Sequence, residues 1–484
     1  MGASQQDLLR QSLKPRSPVA THCDGASPVF TFTLLIYYLV MSTLTTYKDP
    51  LTRFVAHQSI STDPAFIPQC VATAEALSEW LEQQGFTSGL IVTSTQHPLV
   101  LASYTHNPEA PTCLVYGHYD VQPANREDGW SQDPFTLTEL NGKLVGRGST
   151  DNKGQFLIHL ATIAELIKTG ELTRNIQVLL EGDEENGSEG ITHFLKTYPE
   201  RITATTALIS DGELIKLRPV LDIGFRGTVQ IDVKLGTSTQ DLHSGLFGGT
   251  VPNAALELSR LLSTMYGEQG ALSVAGITDG IHQPSTQEKE WADAGSPEMS
   301  EYLALTGTRA AWSEPGETLG SQRIFRPTIE IIGMGSGYMG AGFRNSISAT
   351  AAAKLNVRVC PGQDTDHIYE VIKTHLTQHA PDYVTVTTDH DSHSDGTLVD
   401  TTAPVLTYAA KILEEAYGMA PTRAFCGASL PFLEGFQAVP NLALVIAPLA
   451  NDDCLMHAVG ENIAIANIEK GLAFSKAFFS QLPS

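Results

Sequence analysis

At 484 residues, with 42% hydrophobic and 17% charged side chains, the chain is long enough for two or three folding units with sizeable cores. That balance argues against a disordered or membrane-embedded protein. A formal net charge of −23 argues against a broad basic surface for nucleic-acid phosphates.

Six scattered cysteines, with no C-x-x-C pair, are neither a disulfide scaffold nor a thiolate zinc site and favour a reducing, cytoplasmic compartment. The apolar run 29–41, VFTFTLLIYYLVM, is shorter than the roughly 20 residues that span a bilayer. Diffuse basic residues before it (Arg10, Lys14, Arg16) and no A-x-A site after it do not make a signal peptide. Residues 1–40 are read as a non-core N-terminal extension, with no stable membrane association expected.

From Met41 the chain reads as a soluble α/β protein. Helical spacing over 64–85 ends at Gly85. CLVYG, 113–117, is a short apolar strand delivering His118 and Asp120. GRGSTD then leads to Asp151, and KGQFLIHLATIAELIKTG is a helix closed by Gly170. IQVLLEG is a buried strand delivering Glu184 and Glu185, and TTALISD is another delivering Asp211. Strands alternating with helices predict βαβ units and a mostly parallel sheet flanked by helices.

Near residue 222 the texture changes. DIGFRGTVQIDVKLG alternates as one half-buried strand, and PNAALELSRLLSTMYG is a helix with Pro252 in its first turn. A long polar stretch over 276–322, two more strands, a helix at 366–379 and the strand YVTVTTD complete an α+β unit. From about 400 the α/β texture returns with a helix, the strand LALVIA and a closing helix over 462–481. An insertion that splits a parent domain is the economical reading, because His457 otherwise lies far from its partners. The boundaries are 41–221 and 396–484 for the two parts of the parent domain, with 222–395 inserted.

The chemistry gathers at predicted strand ends, where open α/β sheets place their sites. Two imidazoles and several carboxylates, without cysteine, suit paired hard or borderline divalent metals. Alternate residues of an extended segment point the same way, so Asp120 can support His118 and fix its tautomer. Asp151 precedes a helix and could be a plain N-cap, but glycines around it permit close backbone approach. Adjacent Glu184 and Glu185 repel unless a cation or proton divides their roles; a metal ligand beside a general base does so. Singly, these residues also read as a surface H-x-D, a cap, an acidic loop, a turn aspartate (Asp211) and a core histidine (His457). Their conjunction is what points to a site. His243, in the Gly-rich DLHSGLFGG, is either a turn histidine or one reaching across to an oxyanion. Gly335-x-Gly337-x-x-Gly340 matches a dinucleotide fingerprint, but a strand pattern follows where a helix is required.

At YGHYDVQPA, GRGSTDNKG, EGDEENGSEG and DLHSGLFGG the chain resembles the carnosinase-like, cytosolic nonspecific dipeptidase branch of the dizinc aminoacylase/carboxypeptidase metallopeptidase superfamily. The likeness runs from about residue 45 to the C-terminus. It implies a catalytic domain split by a lid that also mediates homodimerisation. It implies Asp151 bridging two zinc ions (manganese or cobalt being alternatives), with His118 and Asp211 on one, Glu185 and His457 on the other. It further implies Asp120 orienting His118, Glu184 as general base, a cis peptide after Asp151, and His243 completing an oxyanion hole, often in the partner subunit's site. Arg358 would hold the substrate's C-terminal carboxylate, and Ser429 in CGASLP would touch substrate. Ala428 for glycine and Gly460 in HAVGEN depart from the family pattern. The implied function is hydrolysis of dipeptides or short peptides; an N-acyl-amino-acid amidohydrolase would use the same centre.

Overall fold

A computed structural model describes residues 44–481. The apolar run 29–41 and the extension 1–40 lie outside them. Among the described residues no helix is long and apolar enough to cross a membrane.

The main sheet has nine strands. Its order is Thr87–Ile91, Leu99–Tyr104, Asn175–Glu181, Thr112–His118, Thr206–Ile209, Ala443–Ile446 and Val220–Phe225, with Thr397–Leu398 and Thr422–Cys426 both pairing with the last. The four central strands, from Asn175–Glu181 to Ala443–Ile446, are parallel, while Thr87–Ile91 and Leu99–Tyr104 join antiparallel. Both faces are covered, so the central strands are apolar throughout rather than alternating; every residue of Asn175–Glu181 is buried. The helix Lys153–Thr169 is buried almost all round and packs on the C-terminal helix Ile465–Ser480. It stops at Gly170, whose φ of 73° is left-handed and suits a residue without Cβ.

A second hydrophobic core lies in residues 227–376. Four antiparallel strands, ordered Thr328–Ser336, Thr350–Val359, Gly227–Gly236 and Thr385–Ser394, carry it. Here burial does alternate: Val229, Ile231, Val233 and Leu235 turn inward with Ala351, Ala353, Leu355 and Val357. Helices Ala254–Ser263 and Thr365–His379 cover that one face. Each fully buried Val, Leu or Ile there contributes roughly 1.5–3 kcal/mol relative to exposure.

Three expectations change. The run 222–236 is two strands: Val220–Phe225 belongs to the main sheet and Gly227–Gly236 to the four-stranded one. Arg226 sits at the break, its guanidinium donating to the carbonyls of Arg323, Arg326 and Arg358. Pro252 lies ahead of its helix, whose N-cap is Asn253, accepting from the Leu256 N–H at 3.2 Å. The polar stretch 276–322 is not structureless. It forms helices Thr286–Ala294 and Met299–Thr306 and begins Leu319–Phe325. Ala292, Ile324 and Phe325 join the main core, which the low apolar density of the stretch concealed. No helix follows Gly335-x-Gly337-x-x-Gly340; strands Ser346–Ile347 and Thr350–Val359 do.

Candidate metal centre

Register explains how the site assembles. His118 pairs with Glu181, Tyr116 with Ile209, and Ile209 with Ile446, so four parallel strands end at one level. The loops that leave them carry Glu184 and Glu185, Asp211 and, farther on, His457. Gly182 is needed for this convergence, since a Cβ there would lie 2.2 Å from the Tyr119 ring. Gly154 is needed too: its Cβ would lie 1.8 Å from the Ser149 carbonyl oxygen, just behind Asp151. The Asp151–Asn152 peptide bond is cis.

Two donor sets share Asp151. His118, Asp151 and Asp211 offer one, and Asp151, Glu185 and His457 the other, with ligand atoms within 4.8 Å of one another in each. The carboxylate of Asp151 is divided between them: Oδ1 is 3.0 Å from His118 Nε2, and Oδ2 is 2.7 Å from His457 Nε2. His118 Nε2 is 3.7 Å from Asp211 Oδ2, and His457 Nε2 is 3.2 Å from Glu185 Oε2. His457 has a φ of 59°, in the left-handed region that histidine tolerates better than most side chains.

Electrostatics show what the cluster lacks. Burial, then repulsion from Asp211, Asp151 and Glu185 working against the attraction of His118, pushes Glu184 well above the usual carboxylate range. Burial also raises Asp211 to about 7. His118 is raised despite its burial, because Asp120 and Asp151 accept its hydrogen bonds. Hydrogen bonds to Asp151 and Glu185 carry His457 to about 10. These shifts share one cause, a surplus of buried negative charge that a cation would relieve. Glu185 Oε1 is buried without a hydrogen-bond partner, an orphaned acceptor of the kind buried sites seldom leave. An all-oxygen and imidazole set fits divalent cations of hard or borderline character.

Asp120 does more than support His118. Its Oδ1 lies 3.3 Å from His118 Nδ1, and its carboxylate also accepts the backbone N–H groups of Glu184 (3.3 Å) and Glu185 (3.0 Å). One buried side chain therefore sets both a candidate ligand and the loop bearing the paired glutamates. Ser61 donates to its Oδ2 at 2.6 Å.

The profile of Peptidase family M20/M25/M40 matches residues 114–481. The chain belongs to that family. It is 28% identical over 409 residues to the Cys-Gly metallodipeptidase dug1 of Schizosaccharomyces pombe, covering 80% of this chain and 83% of that protein. It is 28% identical over 396 residues to the Beta-Ala-His dipeptidase of Rattus norvegicus, covering 80% of each. The solved structure of the dipeptidase Dug1p from Saccharomyces cerevisiae superposes with a TM-score of 0.77 at 25% identity, covering 93% of this chain and 98% of that one. In a member of this peptidase family, the two groups of possible ligands point to divalent-metal use.

The remaining sequence-derived residues fall into two groups. Arg358 and Ser429 come together, Nη1 donating to Oγ at 3.3 Å, although 71 positions separate them. His243 is exposed, and no contact joins it to the donor sets within this chain among the described residues; its Nδ1 accepts the Gly245 N–H at 3.1 Å.

Residues the sequence reading missed build the support. Glu461 accepts the backbone N–H groups of Thr150 (2.9 Å) and Asp151 (3.0 Å), and Arg147 donates to it at 2.7 Å, all buried. Gln122 donates to Glu185 Oε2 at 2.7 Å, and Asn152 donates to the Ser210 carbonyl at 2.7 Å. Only Glu461 left a trace in the sequence, as the acid of HAVGEN, with nothing to say which backbone it would hold.

Proposed function

We propose that the chain hydrolyses dipeptides or short peptides at a two-ion centre, His118, Asp151 and Asp211 holding one ion and Asp151, Glu185 and His457 the other. The observation that carries this is the division of the Asp151 oxygens between two donor sets. Zinc is the leading candidate, with manganese or cobalt as alternatives. Divalent ions held by those residues would lower the pKa of a bound water and polarise the scissile carbonyl.

The protein's own residues do the rest. Glu184, unligated in either set and held by Asp120 through its backbone, takes the attacking water's proton and passes it to the leaving amine. Arg358, steadied by Ser429, pairs with the substrate's C-terminal carboxylate. His243 donates from Nε2 to the developing oxyanion of a neighbouring subunit's site.

That last role needs a homodimer. Supporting it, the outer strand Thr328–Ser336 ends the four-stranded sheet with an open edge and exposes Ile331, Ile332 and Met334, while Phe343, soon after that strand, and Leu246, beyond His243, are exposed as well. Residues 222–395 act as lid and dimerisation unit, and 41–221 with 396–484 as the catalytic domain. Among the described residues the cysteines Cys70, Cys113, Cys360, Cys426 and Cys454 are free thiols, which supports a cytoplasmic setting. The net charge of −23 leaves nucleic acid without a basic footing.

The rival is an N-acyl-amino-acid amidohydrolase, which would use the same centre. Metal analysis with a panel of free dipeptides and N-acetyl amino acids separates them. Preferred cleavage of the dipeptides with bound divalent metal is expected; preferred cleavage of the N-acetyl compounds overturns the reading.

A further inference from the structure

The turn that carries Glu184 has a second support, to which the mechanism above gives no task. The antiparallel register of Leu99–Tyr104 with Asn175–Glu181 sets Val100 opposite Leu180. Continued three places beyond that pair, it brings His97 opposite Asp183, and there the two side chains meet. His97 Nδ1 lies 3.1 Å from Asp183 Oδ1. The residues are 4% and 1% exposed, so the contact is closed to solvent.

Asp183 stands where an aspartate ordinarily caps a helical turn. It directly precedes Glu184–Asn186, yet its side chain caps none of that turn's N–H groups. Asp120 takes the N–H groups of Glu184 and Glu185 instead. The Asp183 carboxylate turns to His97, and its Oδ1 also receives Asn186 Nδ2 at 3.5 Å. Its backbone carbonyl accepts the N–H groups of Asn186 at 3.2 Å and Ser188 at 2.8 Å. Asp183 thus closes the turn with its backbone and anchors it with its side chain.

His97 is itself held in place. Its carbonyl accepts from Thr93 Oγ1 at 2.8 Å, and the Pro98 carbonyl accepts from the Tyr119 hydroxyl at 2.7 Å. Tyr119 lies between His118 and Asp120, so the anchor is tied back to the site.

Stability alone does not account for the pair. The contact is close but off the line of a hydrogen bond, and among the described residues His97 Nε2 and Asp183 Oδ2 have no hydrogen-bond partner. Buried polar atoms are seldom left so. Two well-packed apolar side chains often hold a fold as well as a buried polar pair does. What they lack is a directed hold on the residue next to Glu184.

We infer that His97 is a positioning residue, which acts through Asp183 to set where the Glu184 carboxylate stands in the site. The inference rests on Glu184 as the general base and adds what aims it. Displacing a catalytic group by about 1 Å can cost about 10²-fold in rate.

The experiment follows hydrolysis of Ala-Gly, with bound metal and the thermal midpoint measured beside kcat and KM. His97→Leu should lower kcat by about 10- to 100-fold, with KM and bound metal within about twofold of wild type. His97→Gln, whose amide still donates to Asp183, should regain part of that loss. Combining His97→Leu with Asp183→Leu removes both polar partners, and should return the thermal midpoint to the wild-type value without returning kcat. The paired variant carries the test if His97→Leu alone does not fold. In a Glu184→Gln background, His97→Leu should change the residual rate by less than about twofold, because no base is left to aim.

Four results overturn the inference while leaving Glu184 as the base: unchanged kcat in His97→Leu, metal lost from it, kcat recovering together with the midpoint in the paired variant, or an equal further loss in the Glu184→Gln background. Wild-type-like turnover in Glu184→Gln alone strikes the base itself, and the positioning role with it.

Discussion

The strand-end cluster and the four-stranded sheet solve opposite problems. Around Asp151 nearly every polar atom is buried and spoken for: Glu461 clamps its backbone, Asp120 holds His118 and the Glu184–Glu185 loop, and Asn152 ties across to Ser210. In the four-stranded sheet, one face is a closed apolar core, while the outer strand and the histidine ahead of it face solvent. The first region is complete apart from positive charge. The second leaves an edge strand with exposed apolar side chains. Polar satisfaction dominates one and apolar exposure marks the rim of the other.

The comparison can be broken most sharply at Glu184. Glu184→Gln should retain bound metal, because Glu184 belongs to neither donor set, and should lose about 10²–10⁴ in kcat. Near-normal turnover would move the proton transfer elsewhere. Next comes the other region: His243→Ala should lose about 10²–10³ in kcat with metal content unchanged. Mixing it with Glu184→Gln subunits should restore a fraction of activity, since hybrid dimers pair one intact base with one intact histidine across the interface. No recovery would place both functions within one subunit. A milder test acts on the edge alone. Ile332→Glu, at a side chain 60% exposed, should shift the protein toward monomer in light scattering and lower activity toward the His243→Ala level. Dimers of unchanged stability would put the interface elsewhere.

The smallest expected effect concerns the packing behind the cluster. His159 is buried between the hydroxyls of Ser210 and Ser475, and burial lowers its pKa from 6.5 to about 3. As pH falls from 6.5 toward 3, the unfolded chain binds a proton there that the folded chain does not, so stability declines through that window. Above pH 6.5 the group contributes no pH dependence. His159→Gln should therefore flatten the loss between pH 6.5 and 5 by about 2 kcal/mol in denaturant titrations. An unchanged slope would assign the acid sensitivity to other groups.

Much of the main region was legible because its signals are local. Apolar runs of strand length ended in His118, Glu184–Glu185 and Asp211, and Gly170 closed a helix where its left-handed φ is required. The inserted region was less so. Residues 222–236 alternate as one strand, and only pairing partners reveal the break at Arg226 between two sheets. Helices within 276–322 carry few apolar residues, because their contact with the main core rests on a handful of side chains such as Ala292.

The sequence by itself determined the α/β class, the strand-end chemistry and the residue types of the centre, since each depends on patterns within some ten residues. Tertiary structure decided what depends on distance across the chain. It brought His457 to Asp151, put Glu461 behind that aspartate 310 positions away, and set Asp222 level with the Asp211 strand end. Strand register and loop convergence fix such meetings, and neither is written in the local periodicity of any one segment.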